Sequence, residues 1–444
     1  MSPFHHCIGG TGASSGEARS KKSKTAVIHQ TDRLERKFMR IRYSYSVLIA
    51  HILLTGTNVA QQYGPLDPPE RIVLNVTADP ATSIAVTWRN FEDYSDSRIQ
   101  IAKASDWTDL AKDARTVPAR KEGISYRNNT PDFHYSAVIT DLQPDVLYAY
   151  RVGHDSVWSG WAHFRTAKSG QAPFTFSFFG DPQYDLVRYC SRVFHETFKT
   201  APDSRFWLFV GDMIGDPEYD SLWCELFTSV GFIPTTTPFV MVPGNHEYPK
   251  PKGTETQKEL VPYWRAHYTL PENGIKGLEE TSYSFDYQGV RFIMINGNEK
   301  LAEQATWMEP LLARNPCAWT VVAVHQPLYS MGRTRDERQT RDALLPLIDK
   351  YGVDLVLTGH DHVYSRSHKL KNGVVVRPDE KGTVYVVSVS GSKAYPLHLK
   401  YKDLMVKTAE NVQLFQTITV DGNTLTYKSY TATGSLFDSF ELKK

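Results

Sequence analysis

Seven short apolar runs between residues 174 and 389 constrain the fold more than any other feature of this chain. They are rich in Val, Ile, Leu and Phe, and several stretches between them, such as 186–198 and 338–351, carry apolar residues at helical spacing. Buried strands that alternate with helices are typical of an α/β domain. We therefore predict an α/β domain over residues 173–430, which further strands over 413–444 complete. Its main strands are predicted at 174–179, 206–210, 239–242, 291–295, 320–324, 353–357 and 383–389.

Polar side chains follow five of these runs. The five segments are Gly180-Asp181, Gly211-Asp212, Gly244-Asn245-His246, His325 and Gly359-His360-Asp361-His362. In open α/β sheets, sites form at the carboxyl ends of strands, and glycine lets the chain turn sharply there. Because alternate side chains point in different directions, His360 and His362 can serve two neighbouring metal ions. The sequence therefore predicts a metal centre at this edge of the sheet.

A different pattern occupies residues 68–167. Short runs such as 72–76, 83–88 and 135–140 alternate or are separated by turn residues, and no helical period is present. This pattern predicts an all-β sandwich, with Trp88 as the anchor of its core. The segment from Leu142 to Tyr148 is similar to the tyrosine corner of fibronectin type III-like domains. The three histidines of this region are predicted to pack or face solvent rather than to bind metal: His134, His154 and His163.

The strand-end series as a whole resembles the metallophosphoesterase (calcineurin-like phosphoesterase) superfamily. Its parts are Gly-Asp, Gly-Asp-x-x-Gly, Gly-Asn-His-Glu, Val-x-x-His and Gly-His-x-His, in that order. With the all-β region ahead of it, the chain resembles the purple acid phosphatase branch, and the resemblance covers nearly everything from Pro68 onward. It implies an α/β metallophosphoesterase domain, a β-sandwich flanked by helices, preceded by an all-β fibronectin type III-like domain.

Carried over by position, the resemblance implies two metal ions bridged by Asp212. The remaining ligands divide between the ions, with Asp181 and His362 on the first, and Asn245, His325 and His360 on the second. His246 would act with Asp212 in catalysis, as a proton donor to the leaving group or as a phosphate contact. Oxygen and nitrogen ligands without thiolate suit two divalent or mixed-valence ions of Fe, Mn or Zn.

Two positions depart from the family pattern. Purple members carry a tyrosine that binds ferric iron at the end of Gly-Asp-x-x-Tyr, where this chain has Gly215. Other metallophosphoesterases carry a histidine in an opening Asp-x-His, where this chain has Gln183. The first metal thus has fewer protein ligands, and either the Gln183 carbonyl oxygen or water fills the place. We expect a centre without ferric–tyrosinate colour.

The resemblance implies a metal-dependent, acid-phosphatase-like hydrolase, in which a metal-bound hydroxide attacks phosphomonoesters. Phosphodiester or nucleotide hydrolysis at the same site is an alternative, and so is an exported binding protein with a degenerate phosphoesterase domain. Arg333 and Arg335 can pair with substrate phosphate, although the charged run 331–338 also fits a solvated loop. Lys393 and Tyr395 are candidates for the rim of the site.

Residues 39–60 have the form of a signal peptide. A basic start at 39–42 precedes an apolar run of about a dozen residues and then small residues. We predict that residues 1–38 are a non-structural extension and that the protein is exported, to the periplasm or outside the cell, without a transmembrane span in its mature form. A signal anchor is the alternative.

The net charge of +1 implies no binding of nucleic acid. The cysteines allow one disulfide, Cys190–Cys224, or free thiols.

Overall fold

The computed structural model describes residues 67–126, 131–248 and 260–444. The predicted extension at 1–38 and signal peptide at 39–60 fall outside the described residues, so both stay predictions. Within the described residues, no helix is long and apolar enough to cross a membrane.

The N-terminal region is all-β, as predicted. In the described part of the chain, its strands are β1 (Glu70–Asn75), β2 (Ile84–Asn90), β3 (Arg98–Lys103), β4 (Arg115–Pro118), β5 (Arg120–Ser125), β6 (Pro131–Ile139), β7 (Leu147–His154), β8 (Val157–Trp158) and β9 (Ala162–Arg165). Trp88 is fully buried in the core between the strands and stacks on Tyr135 at 5.9 Å. The Tyr148 hydroxyl accepts a hydrogen bond from the Gln143 N–H at 2.8 Å, which is the bond of a tyrosine corner.

The following region is α/β, as predicted. Its strands among the described residues are β10 (Phe174–Phe179), β11 (Trp207–Phe209), β12 (Phe239–Met241), β13 (Tyr283–Tyr287), β14 (Val290–Ile295), β15 (Trp319–Val324), β16 (Leu355–Thr358), β17 (Tyr364–Ser367), β18 (Leu370–Lys371), β19 (Val374–Val375), β20 (Val384–Val387), β21 (Met405–Ala409), β22 (Leu414–Asp421), β23 (Thr424–Thr431) and β24 (Leu436–Lys443). Its α-helices are α1 (Ser191–Thr200), α2 (Asp220–Val230), α3 (Tyr263–His267), α4 (Leu301–Ala313) and α5 (Arg338–Tyr351).

Two sheets face each other in this region. The first has the order β24-β23-β22-β10-β11-β12 and continues into β1-β2-β6-β5, and the second has the order β13-β14-β15-β16-β20-β17-β21. Strands β10, β11 and β12 are parallel, as are β14, β15, β16 and β20. Rings from both sheets meet between them, with Phe292 lying 5.3 Å from Phe176 and 5.4 Å from Phe206.

Helices cover the outer faces. Met308 of α4 and Ile348 of α5 are buried in the same apolar cluster as Val322 and Val356 of the second sheet. On the first sheet, Phe194 of α1 packs 5.5 Å from Phe179. Because both faces of the central strands are covered, these strands are continuous apolar runs rather than alternating ones.

The first sheet crosses from the all-β region into the α/β region. Strand β1 pairs in parallel with β12, with Asn75 opposite Phe239. The Asn75 side chain strengthens this junction, because its Nδ2 donates to the Phe239 carbonyl at 3.0 Å and its Oδ1 accepts from the Thr269 N–H at 3.1 Å. At the other end, β22 pairs antiparallel with β10, so the C-terminal strands extend the same sheet.

Of the two alternatives for the cysteines, the structure has free thiols rather than the Cys190–Cys224 disulfide. Cys190 is a free, buried thiol, and Cys224 is a free thiol on the exposed side of α2. The Cys190 thiol donates a hydrogen bond to the Pro182 carbonyl, with 2.9 Å between Sγ and the oxygen. Cys190 therefore packs against the segment after β10. The predicted helix at 186–198 is also divided, because a π-helical turn at Leu186–Cys190 precedes α1.

Candidate metal centre

The segments that follow β10, β11, β12, β15 and β16 meet at one edge of the two sheets. They bring the predicted histidines and aspartates together in two groups, within each of which the ligand atoms lie no more than 4.8 Å apart. One group is Asp212, His325 and His360, and the other is Asp181, Asp212 and His362. Asp212 belongs to both, which is the position that a bridging ligand requires.

Buried polar atoms without partners converge on this place. Among the described residues, fifteen buried side-chain atoms make no hydrogen bond, and four of them are here: Asp181 Oδ1, Gln183 Oε1, Asn245 Oδ1 and His362 Nδ1. Native structures leave few such atoms unpaired, because each costs about 1–3 kcal/mol. Their concentration beside two carboxylates is what a cation site requires, so the residues present fit metal ions.

The electrostatics at this edge of the sheets also favour bound cations. Burial, together with the nearby Asp212 carboxylate, raises the pKa of Asp181 well above its usual range. Burial opposes the charged form of His325, but Asp212 and Asp181 outweigh it and raise the pKa of His325 to about 10. Asp181 and Asp212 therefore stabilise a positive charge here, and bound metal ions would supply such a charge.

The other two imidazoles are poised to ligate. Burial lowers the pKa of His360 to about 4, and burial with the neighbouring Lys393 lowers the pKa of His362 to about 2. Both rings are therefore neutral near pH 7, which is the form that binds metal. For His325, the Nδ1–H donates to the Val210 carbonyl at 2.6 Å, so that Nε2 faces Asp212 Oδ1 at 3.3 Å.

The backbone is strained at several of the predicted ligand residues. Four of the predicted ligands have positive φ angles: Asp181 at 48°, Asp212 at 50°, His360 at 70° and His362 at 52°. A non-glycine residue in this conformation costs of order 1–3 kcal/mol, and such residues cluster at functional sites. In this conformation the four side chains enter the same small volume.

The glycines serve a different purpose from the predicted one. Of the four glycines in the strand-end segments, Gly180, Gly211, Gly244 and Gly359, only Gly211 has a positive φ, at 85°. A Cβ at Gly359 would stand 2.2 Å from Asp181 Oδ2, and a Cβ at Gly244 would stand 2.2 Å from Asp212 Oδ1. These glycines therefore let neighbouring segments approach closely, while the ligand residues themselves make the sharp turns.

Glu247 is a supporting residue that the sequence did not single out. Its buried carboxylate accepts the backbone N–H groups of Asp212 at 2.9 Å, Met213 at 2.8 Å and Gly244 at 2.7 Å. It therefore fixes the segments after β11 and β12 to each other. Burial and the Asp212 charge raise the pKa of Glu247 to about 7. The only sequence signal was its place directly after His246.

Asp361 has the same role between His360 and His362, two of the predicted ligands. Its buried carboxylate accepts hydrogen bonds from the Ser330 hydroxyl at 2.8 Å, the Met331 N–H at 2.6 Å and the Gly332 N–H at 3.0 Å. These bonds tie the segment after β16 to the loop after β15. Burial raises the pKa of Asp361 to about 6 despite these donors.

The two atypical positions lie beside each other. Gln183 points into the centre, where its Nε2 donates to Asp212 Oδ2 at 2.7 Å and stands 3.4 Å from His362 Nε2. At Gly215, a Cβ would meet the ring of Tyr184 at 2.5 Å. Tyr184, which sequence reasoning did not select, thus fills the space of a side chain at position 215. Its ring also lies edge-on to that of His246, at 5.8 Å.

His246 and the two arginines surround the centre without joining the ligand groups. The Nδ1–H of His246 donates to the Gly215 carbonyl at 2.7 Å, and its Nε2 stands 4.0 Å from Asp212 Oδ2. Arg335 Nη1 donates to the His360 carbonyl at 2.5 Å. Arg333 is exposed and lies over the ring of Tyr395, with its Cζ 3.4 Å from the ring centroid.

Comparisons with known proteins cover both regions. Residues 69–166 match the family model "Purple acid Phosphatase, N-terminal domain", and residues 137–364 match "Calcineurin-like phosphoesterase". An uncharacterized protein of Mycobacterium tuberculosis is 26% identical over 375 residues, and the match covers 71% of this chain and 68% of the relative. Purple acid phosphatase 18 of Arabidopsis thaliana is 24% identical over 358 residues, and the match covers 76% of this chain and 74% of the relative.

Among solved structures, the purple acid phosphatase PPD1 from yellow lupin seeds has a similar fold. The TM-score is 0.73 at 20% sequence identity, over 85% of this chain and 74% of the lupin chain. This likeness supports the α/β architecture with an all-β region ahead of it.

We predict that Asp361→Ala weakens metal retention. The change leaves three donors of the 330–332 loop unpaired and releases the segment between His360 and His362. Loss of such a supporting partner lowers metal affinity about 10–100-fold. Metal content after dialysis against a weak chelator checks this, with Asp403→Ala, an exposed aspartate, as the matched control. Equal metal retention in both variants would contradict the role of Asp361.

Proposed function

The chain belongs to the calcineurin-like phosphoesterase family, in the purple acid phosphatase branch, and we propose that it hydrolyses phosphomonoesters at the strand-end centre. As a member of this family, it is a metal-dependent phosphoester hydrolase. The observation that carries the proposal is the pair of ligand groups that share Asp212. The proposed ligands are Asp181, Asp212, Asn245, His325, His360 and His362.

In this proposal the groups divide between two ions of Fe, Mn or Zn. Asp181 and His362 would hold one, Asn245, His325 and His360 would hold the other, and Asp212, which belongs to both groups, would contribute to each. When bound, such a pair supplies an activated water and neutralises charge on the phosphoryl oxygens. Gln183 completes the first site with its unpaired Oε1, because its Nε2 is already committed to Asp212.

His246 is proposed to carry the proton to the leaving alcohol. Because Nδ1 is engaged with the Gly215 carbonyl, Nε2 is the nitrogen that faces the centre. Burial lowers the pKa of His246 below its usual range. The protonated form therefore exists at acidic pH and is lost as the pH rises, which favours acid-phosphatase behaviour for esters with poor leaving groups.

We also propose that the protein is exported. The basic start at 39–42 and the apolar run that follows it support this proposal. N-terminal sequencing of protein recovered outside the cytoplasm should then find a mature end close to Gln61, whereas a retained residue 39 would favour the anchor.

Of three predictions that follow from the proposed hydrolysis, the first tests the reaction. The purified chain, supplied in turn with Mn²⁺, Zn²⁺ and Fe²⁺, should hydrolyse p-nitrophenyl phosphate faster than its bis-ester. Asp212→Ala should lower turnover by more than about 100-fold, since it removes a group that both ions share. Phosphate release and circular dichroism of the same samples check activity and folding. Faster cleavage of the bis-ester would favour a phosphodiesterase instead.

The second prediction concerns His246. His246→Gln should slow the hydrolysis of an alkyl phosphate about 10²–10⁴-fold, and that of p-nitrophenyl phosphate much less, because nitrophenolate leaves without a proton. In the wild type, kcat/KM for the alkyl ester should fall as the pH rises through the lowered pKa of His246. His195→Gln, at an exposed site, is the control. Equal losses with both esters would exclude the proton-donor role.

The third prediction concerns colour. With Gly215 in place of a tyrosine, the iron-loaded protein should lack an intense visible charge-transfer band. An absorption spectrum of the oxidised, iron-loaded chain checks this. An intense band that disappears in Tyr184→Phe would mean that Tyr184, whose ring stands beside Gly215, supplies a phenolate in its place.

A further inference from the structure

Three cationic side chains gather around the ring of Tyr395 beside the metal centre. The Cζ atoms of Arg333 and Arg335 lie 3.4 Å and 5.3 Å from the ring centroid, and Lys393 Nζ lies 5.3 Å from it. Tyr395 itself packs edge-on against His362, with the ring centroids 4.8 Å apart. A single aromatic ring therefore separates these cations from a proposed metal ligand.

None of the three forms an ion pair with a carboxylate in the described part of the chain, although Arg335 is close enough to Glu337 and Asp361 to favour their charged forms. No carboxylate there comes within 4.0 Å of Arg333, Arg335 or Lys393. The nearby acids are engaged elsewhere, since Asp336 pairs with Arg341 and Lys400 at 2.6 Å each and Glu337 faces His360 Nε2 at 3.3 Å.

The cations stand on segments that are fixed to the centre. Gly332 forms an antiparallel bridge with Leu397, and the Arg333 N–H donates to the Pro396 carbonyl at 3.0 Å. Asp361 holds residues 330–332 to the segment of the metal histidines, and Arg335 donates to the His360 carbonyl. These contacts distinguish 331–335 from a solvated loop whose charges merely face water.

The Tyr395 ring is not a platform for an aromatic group. The Arg333 guanidinium carbon, 3.4 Å from the centroid, covers one face of the ring, and His362 meets the ring edge-on. A guanidinium stacked on an aromatic ring keeps its N–H donors available for a planar pair with phosphate oxygens. A ligand at this place would therefore meet positive charge rather than an aromatic surface.

We propose that Arg333, Arg335 and Lys393 form a subsite for a second phosphate group of the substrate. The inference rests on the proposed function, because one phosphate must be hydrolysed at the metal centre while the other is held by the three cations. It assigns the substrate class as phosphoesters that carry another phosphate close to the scissile one, such as bisphosphates and short phosphate chains. Single monoesters occupy the metal centre alone and bind less well.

The test compares two matched substrates of the metal-loaded full chain at low ionic strength. These are propane-1,3-diol bisphosphate and propane-1,3-diol monophosphate, which share a primary alkyl leaving group. The wild-type kcat/KM should be at least about tenfold higher for the bisphosphate, as expected for one or more hydrogen bonds between charged groups. Added salt should reduce this preference.

Variants decide where the preference arises. In Arg333→Ala and in Lys393→Ala, the ratio of the two kcat/KM values should fall toward that expected from the doubled number of phosphates alone. Arg338→Ala, an exposed arginine at the start of α5, should keep the wild-type ratio. A wild type that cleaves both substrates without preference, or variants that keep the ratio, would overturn the subsite. Failure to cleave either substrate would instead overturn the proposed function and the subsite together.

Discussion

The carboxylate of Asp212 is the point on which the arrangement of this end of the molecule depends. It is buried, and it lies within ligand distance of both groups of the centre. Burial opposes its ionisation, but the neighbouring His325 outweighs burial and lowers the pKa of Asp212. A buried carboxylate that stays ionised needs positive charge around it. In our account, two metal ions supply that charge and are the reason for the surrounding geometry.

The surrounding structure stabilises what would otherwise be an unfavourable arrangement. Four of the proposed ligand residues have positive φ angles, and two glycines permit contacts that no Cβ would allow. Glu247 and Asp361 offset this strain by accepting hydrogen bonds from the backbone of the loops that carry the ligands. The paired sheets then hold these loops at a common edge, so that residues far apart in sequence meet.

Sequence reasoning succeeded where one local signal was enough. An apolar run followed by a glycine and an Asp, Asn or His predicted both the strands and the residues that meet at their ends. It failed where the role of a residue depends on another loop. The partners of Glu247 and Asp361 are backbone groups of distant segments, and Tyr184 matters because Gly215 leaves room for its ring. The edge strand β13 was not predicted, because its polar residues interrupt the continuous apolar run that marks the central strands.

The number of metal ions bound by the wild type and by three ligand variants tests the central claim most directly. Elemental analysis of the dialysed chain should find two ions in the wild type, one in His360→Ala, one in His362→Ala and fewer than one in Asp212→Ala. The ion that remains in His360→Ala and the ion that remains in His362→Ala should be bound with different stability. Such a difference would show that each histidine serves its own site. Two ions retained in Asp212→Ala, or a single ion in the wild type, would contradict a centre bridged by Asp212.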